Sequence, residues 1–102
     1  MVEVKWTNQS LDDINSVAEF IAKDSVRFAK IQSQRFFDRA EILINLPQTG
    51  RIVPEVNDDA IRELILGNYR IIYRIISDLR IDILTIHHSS RLLKNNPAFK
   101  KM

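Results

Sequence analysis

The sequence predicts an α+β fold with the element order β-α-α-β-β-β, in which a helix hairpin packs on an antiparallel sheet. Three observations lead to this prediction. Apolar residues alternate with charged residues over residues 2–6, as in a short half-buried strand. Helical spacing of apolar residues then continues to about residue 45. Three strand-like runs joined by short turns follow in the second half of the chain.

Two amphipathic helices account for the first half after the opening strand. Apolar residues recur at spacings of three and four over residues 10–23, where Ser10 and Asp13 resemble a capping box. The Asp-Ser pair at residues 24–25 ends this helix and can cap a second one that runs to about residue 45. Because the connection is so short, the two helices should form an antiparallel hairpin.

The second half predicts a meander of three antiparallel strands. Residues 51–60 read as a loop or irregular edge, and Gly67-Asn68 suits a tight turn. The strands are expected at 61–66, 69–76 and 80–87. The helix pair should cover one face of the sheet and leave the other face partly open. Residues 91–102 read as a basic C-terminal tail that either frays or forms a short helix.

Length and composition fit a single domain over residues 1–102. The chain has no cysteine, which excludes disulfides and thiolate metal sites. Neither a signal peptide nor a membrane-length apolar run is visible, so we expect a cytoplasmic protein without membrane contact. The net charge is +2, and residues 51–102 carry nine Lys and Arg against six Asp and Glu.

Two arginines on the middle strand are the least expected feature of the sheet. Arg70 and Arg74 share one face of a strand whose two faces are both partly apolar. They can form cross-strand ion pairs, for which Asp82 and Glu63 are the candidate partners. Alternatively, they form a positive surface that meets phosphate or an acidic partner.

Three further residues could carry acid–base chemistry. Glu55, in the loop after Pro54, is either solvated or a general base. His87 and His88 are adjacent on the last strand, so they must point to opposite faces. One is expected to hydrogen-bond structurally, and the other can titrate near neutral pH. With no further histidine and no cysteine, we expect no metal site and no cofactor.

Several short motifs occur together along nearly the whole chain. They are VKWT at 4–7, LDDI at 11–14, LP at 46–47, GR at 50–51, VPE at 53–55, IREL at 61–64, GNYRIIYR at 67–74, and His88 with Arg91. In order and spacing they resemble the RelE/ParE toxin superfamily of type II toxin–antitoxin systems, and its ParE members most. The resemblance implies the same β-α-α-β-β-β fold. It also implies a cognate antitoxin that wraps the toxin and alone contacts operator DNA.

The resemblance implies two mechanisms. ParE-like members poison DNA gyrase without a catalytic group, and this is the mechanism we favour. RelE-like members such as YoeB cleave mRNA on the ribosome without a metal. In that alternative Glu55 would be the general base, Arg70 with Arg62 would stabilise charge on the phosphate, and His88 would be the general acid. Outside the family, the sequence fits a small non-toxic α+β binding module.

A cationic set is expected to contact the antitoxin or the target, which is DNA gyrase or, in the alternative, the ribosome and mRNA. Its members are Arg51, Arg70, Arg74, Arg91, Lys94, Lys100 and Lys101. Arg70 lies on the opposite face of the strand from Tyr69 and Tyr73, so we hypothesise that it faces the partner. On that hypothesis Arg70→Ala leaves the melting temperature within a few degrees.

Overall fold

The computed structural model describes residues 1–99, which form two helices packed on one five-stranded sheet. The elements are β1 Glu3–Trp6, α1 Asn8–Ala22, α2 Val26–Ala40, β2 Arg51–Ile52, β3 Ile61–Leu66, β4 Tyr69–Ser77 and β5 Arg80–His88, with short 3-10 helices at Glu41–Ile44 and Leu93–Asn95. The order across the sheet is β1-β5-β4-β3-β2, so β4 is the central strand. The predicted α+β fold class is confirmed.

The sheet is mixed, because β1 runs parallel to β5 whereas all the other pairs are antiparallel. The predicted meander is confirmed for β3, β4 and β5, but the expectation of a wholly antiparallel sheet is corrected. The cause is β2, a two-residue strand inside the segment that was expected to be a loop or irregular edge. Each helix or strand between β1 and β5 runs opposite to the one before it. The additional strand β2 therefore adds one reversal, and β5 runs parallel to β1.

The first helix begins two residues earlier than predicted. Thr7 is its N-cap, and the Thr7 hydroxyl accepts a hydrogen bond from the Ser10 N–H at 3.2 Å. Ser10 is buried and donates its hydroxyl back to the Thr7 carbonyl at 2.7 Å. Asp13, expected to pair with Ser10 at the cap, instead reaches β5. There its carboxylate accepts hydrogen bonds from the Thr85 hydroxyl and the Ile86 N–H.

Both faces of the sheet bury apolar side chains. The larger core lies between the helices and the sheet and includes Phe36, Leu43, Ile71, Tyr73, Ile81 and Ile83. The smaller core lies on the opposite face and consists of Val53, Ile61, Ile72, Leu93 and Phe99. Because Leu93 and Phe99 are buried in it, residues 91–99 pack on the sheet and do not fray. The 3-10 helix at Leu93–Asn95 is the short helix that the sequence predicts as the alternative.

A tyrosine on the central strand fixes where β2 begins. The Tyr73 ring is fully buried, and its hydroxyl donates to the Pro47 carbonyl at 2.8 Å and accepts from the Gly50 N–H at 2.9 Å. A Cβ at Gly50 would lie 2.5 Å from the Tyr73 hydroxyl and 2.7 Å from the Glu63 carbonyl oxygen. Glycine therefore allows this close approach, which positions Arg51 and the loop that follows it.

Candidate functional site

Four charged side chains form a network on the sheet face opposite the helices. Arg70 of β4 donates its Nε to Glu63 of β3 at 2.7 Å. The Nη1 and Nη2 groups of Arg70 donate to the two carboxylate oxygens of Glu55 at 2.6 and 2.8 Å. Glu63 also accepts from the Nε of Arg51. The Glu63 and Arg70 side chains are 0% and 9% exposed, whereas Glu55 and Arg51 lie at the rim.

The burial of Arg70 corrects the hypothesis that its side chain faces a partner. The half of the sheet face that holds Arg70 is covered by the second core and the charged network. The alternative interpretation, a cross-strand ion pair with Glu63, is confirmed for Arg70. It is not confirmed for Arg74, which lies opposite Asp82 in register but is exposed. Asp82 instead accepts two hydrogen bonds from Arg80, at 2.8 and 2.9 Å.

The ion pair with Arg70 holds Glu55 in its charged form. Hydrogen bonds from the Arg70 guanidinium lower the pKa of Glu55 from an ordinary 4.5 to about 2, against the opposing effect of burial. The same bonds, together with those to Glu63, raise the pKa of Arg70. A carboxylate that is so weakly basic is a poor acceptor for a proton from a substrate hydroxyl.

The sheet separates His88 from Glu55 and Arg70. Cross-strand partners share a face, and His88 lies opposite Tyr69 while His87 lies opposite Arg70. The His88 ring stacks edge-on against Tyr69 at 5.3 Å on the helix side, where Tyr69 also contacts Phe36 of α2. The Nδ1 of His88 is occupied by the hydroxyl and N–H of Ser90. His88 therefore lies on the other side of the sheet from the network.

Arg62 is also apart from the network. It lies opposite Tyr73 in register, on the helix side of the sheet. Its guanidinium donates to the carbonyls of Asp59 at 2.9 Å, Gly50 at 3.1 Å and Gln48 at 3.3 Å. Of the four predicted catalytic residues, the structure thus brings together Glu55 and Arg70 only.

A second polar cluster, which joins β5 to the C-terminal segment, was not predicted from the sequence. Asn96 is buried, and its Nδ2 donates to the Thr85 hydroxyl and to the Nδ1 of His87, both at 3.0 Å. Its Oδ1 accepts from the Ala98 N–H at 2.9 Å, which fixes the orientation of the amide. The Nε2 of His87 donates to the Arg91 carbonyl at 2.9 Å. His87 is thus the structural histidine expected from the sequence.

The remaining predicted contact residues are dispersed. Arg74, Arg91 and Lys94 are exposed and have no ion-pair partner within residues 1–99. Arg51 is at the rim of the network, where it is paired with Glu63. Lys100 and Lys101 lie outside the described residues. Exposed cations therefore occur at the outer end of β4 and on the C-terminal segment.

Two further features of residues 1–99 concern metal binding and membrane crossing. No three His, Asp or Glu side chains there are grouped so that they could hold a metal ion. None of the helices there has the length and apolar character needed to cross a membrane.

Glu63 and Asn96 were not predicted as site residues, and the two residues differ in how far the sequence could have indicated them. Glu63 was named only as an ion-pair candidate, although strand alternation and the Gly67-Asn68 turn place it on the same face as Arg70. The role of Asn96 had no such signal, because a 3-10 helix and irregular backbone surround it.

Comparisons with known proteins agree with this architecture. The family model described as the ParE toxin of the type II toxin–antitoxin system, parDE, matches residues 4–93. A solved structure from the chromosomal ParDE TA system from P. aeruginosa is similar in fold, with a TM-score of 0.71 at 20% identity, over 86% of this chain and 96% of that chain. The search of curated proteins found no match. The chain belongs to the ParE toxin family of type II toxin–antitoxin systems, within the RelE/ParE superfamily.

Proposed function

We propose that this protein is a toxin that a cognate antitoxin neutralises and that arrests growth by poisoning DNA gyrase, without catalysis of its own. Family membership supports the toxin role, and the similar P. aeruginosa structure belongs to a system that pairs a toxin with an antitoxin. The observation that favours the non-enzymatic mechanism is the charged network, in which the Arg70 guanidinium is occupied by Glu55 and Glu63.

Cleavage of RNA at a 2′-hydroxyl would need a base and an acid that reach the same phosphate. Here the candidate base, Glu55, is an ion-paired carboxylate with a pKa of about 2. The candidate acid, His88, lies across the sheet against Tyr69. General acid–base catalysis depends on groups within hydrogen-bond reach and with a pKa near the working pH. The arrangement therefore supports a toxin that acts by binding.

The exposed cations are the proposed target contacts. Arg74, Arg91 and Lys94 are free of carboxylate partners within residues 1–99, so they can meet acidic groups of a protein target without first breaking an ion pair. Arg51 and Arg70 are held by glutamates and contribute less positive field outside the protein.

The test is induced expression of the chain without its antitoxin, with the DNA damage response and mRNA integrity followed in the same culture. Growth arrest with filamentation, a damage response and intact transcripts is expected. Purified protein should also convert supercoiled plasmid to linear DNA in the presence of gyrase and ATP. Glu55→Gln and His88→Gln are the matched variants, because neither removes a buried charge. Both should remain as toxic as the wild type.

Two results would contradict the proposal in different ways. Transcripts cut at ribosome-occupied codons, with the cutting abolished by Glu55→Gln or His88→Gln, would establish the endoribonuclease instead. Normal growth of cells that contain soluble protein would remove the toxin function itself.

A further inference from the structure

The outer face of the helix hairpin contains a groove that has no role in the fold or in the charged network. It runs between α1 and α2 and has a volume of about 480 Å³. Its floor is apolar and includes Ala22 and Phe37, whereas its rim carries the exposed side chains of Glu19, Val26 and Lys30. The sides of the helices that carry core residues are turned toward the sheet, so the groove opens to solvent on the opposite side of the hairpin.

Two opposite charges line this groove from opposite walls. Glu19 belongs to α1 and Lys30 to α2, and neither forms an ion pair with any of residues 1–99. Both side chains are therefore available to charges of another molecule. Val26 lines the same groove and is 60% exposed. A partner that covers the groove can bury this apolar side chain while it pairs with both charges.

The charges of the two helices indicate which partner fits. α1 contains three carboxylates and no Lys or Arg, whereas α2 contains four Lys and Arg and one carboxylate. α1 therefore carries a net charge of −3 and α2 of +3. A nucleic acid or an acidic protein surface would be attracted by α2 but repelled by α1 beside it. Two adjacent stripes of opposite charge are complementary to a second copy of themselves, as a two-fold interface requires.

Hairpin geometry shows which symmetry matches these charges. If two hairpins pack face to face about a two-fold axis parallel to the helices, α1 of one copy lies over α2 of the other, as in an antiparallel four-helix bundle. Glu19 and Lys30 lie at similar heights along that axis, because they line one groove between the two helices. The operation therefore places Glu19 of each copy opposite Lys30 of the other. An axis across the helices would place α1 over α1 and bring like charges together.

We propose that two copies of this protein associate through the outer face of the helix hairpin, with reciprocal Glu19–Lys30 ion pairs and Val26 buried at the interface. The charged network and the second core lie on the sheet face opposite the helices, so that face stays accessible in the dimer. The inference goes beyond the proposed function and does not depend on it, because self-association requires neither the antitoxin nor the target.

The test measures self-association of the full-length protein by sedimentation velocity over a series of concentrations. At high concentration the wild type should sediment with about twice the mass of the 11.9 kDa chain. Glu19→Lys and Lys30→Glu should each raise the dimer dissociation constant roughly tenfold or more, because symmetry converts both ion pairs of the interface into like-charge contacts. Circular dichroism of each variant checks that it is folded.

The two variants should also complement each other. In an equimolar mixture of Glu19→Lys and Lys30→Glu chains, each contact again joins one acidic and one basic side chain. Mixed dimers should therefore form with a dissociation constant within about threefold of the wild-type value. Asp78→Lys and Lys94→Glu are the matched controls, since they make the same changes of charge at exposed positions in the β4–β5 turn and the C-terminal segment. Neither control should change the constant by more than about threefold.

The outcomes that would overturn the proposal are distinct. A wild type that stays monomeric at about 100 µM would exclude the dimer. Dimers that neither hairpin substitution weakens, or folded variants that remain monomeric when mixed, would exclude the Glu19–Lys30 interface. A monomeric wild type whose α2 amides become protected from hydrogen exchange when the antitoxin binds would assign the groove to the antitoxin. None of these results bears on growth arrest, so each leaves the proposed function to its own test.

Discussion

Replacement of Arg70 tests whether the charged network supports the fold. Arg70→Met would leave the Glu63 carboxylate, which is 0% exposed, with Arg51 as its one remaining cationic partner in the network. Removal of one member of a buried ion pair costs about 3–5 kcal/mol, because the other charge stays buried without compensation. Since Arg51 still donates to Glu63, we expect the lower end of that range, about 3 kcal/mol.

This loss is large enough to measure in two ways. For a domain of this size each kcal/mol lowers Tm by about 4–8 °C, so Arg70→Met should lower Tm by about 12–24 °C. Urea unfolding followed by circular dichroism should show a lower midpoint with an unchanged slope. Adding Glu63→Leu to Arg70→Met should recover most of the loss, because no uncompensated charge then remains buried. A single variant that loses less than about 1 kcal/mol, or a double variant no better than the single, would refute the reasoning.

The burial of Arg70 changes how toxicity data at this position are interpreted. The sequence alone predicts that Arg70→Ala leaves Tm almost unchanged, whereas the buried contacts with Glu63 predict a severe loss of stability. Reduced toxicity of an Arg70 variant would therefore not identify a target contact. Glu55→Gln is the cleaner probe of the network, because the Glu55 side chain is 46% exposed.

Three further predictions concern stability. Because the folded pKa of Glu55 is about 2, against an ordinary 4.5, its contribution to the free energy of unfolding is fully present above pH 4.5 and is lost as the pH falls toward 2. Solvent screening limits this contribution to about 1 kcal/mol. Glu55→Gln should remove this pH dependence from a titration of the unfolding free energy. Gly50→Ala should lower the free energy of unfolding in urea by about 2–3 kcal/mol, because its Cβ would meet the Glu63 carbonyl and Tyr73. Gly67→Ala has open space around its Cβ and should cost only about 1 kcal/mol, for its positive φ. Equal losses for the two variants would contradict this prediction. Asn96→Ala should cost about 1–2 kcal/mol, since it leaves His87 and Thr85 without the amide donor that they share. This loss corresponds to a Tm lower by about 4–16 °C. An unchanged Tm would show that water replaces the amide.

The meander could be predicted from the sequence because local signals were sufficient. β3 has the predicted bounds, Ile61–Leu66, because alternation and the Gly67-Asn68 turn both fix its end. β2 could not be predicted, because two residues give no alternation and the strand exists only through its pairing with β3. That single omission also concealed the parallel direction of β1, since direction depends on the number of reversals between the two strands.

Tertiary contacts decided the side-chain roles that sequence reasoning misassigned. Asp13 follows Ser10 at capping-box spacing, yet its carboxylate binds β5, and Thr7 caps the helix instead. For Arg70, alternation gives the correct face of the strand but does not show what covers that face. The cover comes from a loop and from the segment 91–99, whose packing depends on Leu93 and Phe99. Neither the packing of the loop nor that of the segment 91–99 can be seen as a pattern in the local sequence.

The structure also changes the meaning of the basic excess in the second half of the chain. Arg51 and Arg70 are balanced by Glu63 and Glu55, so the network as a whole carries no net charge. Arg80 is balanced by Asp82 in the same way.

The positive charge that the second half offers to a partner therefore lies elsewhere. Within residues 51–99, exposed cations without an ion pair there are Arg74 on β4 and Arg91 and Lys94 on the C-terminal segment. The helix hairpin adds further exposed cations without an ion pair within residues 1–99, namely Lys23, Arg27, Lys30 and Arg35. The buried His87 and Asn96 hold the C-terminal segment in place, so the same polar cluster that completes the fold also sets the position of Arg91. Partner affinity should consequently depend on Asn96 even though its buried amide cannot itself reach a partner.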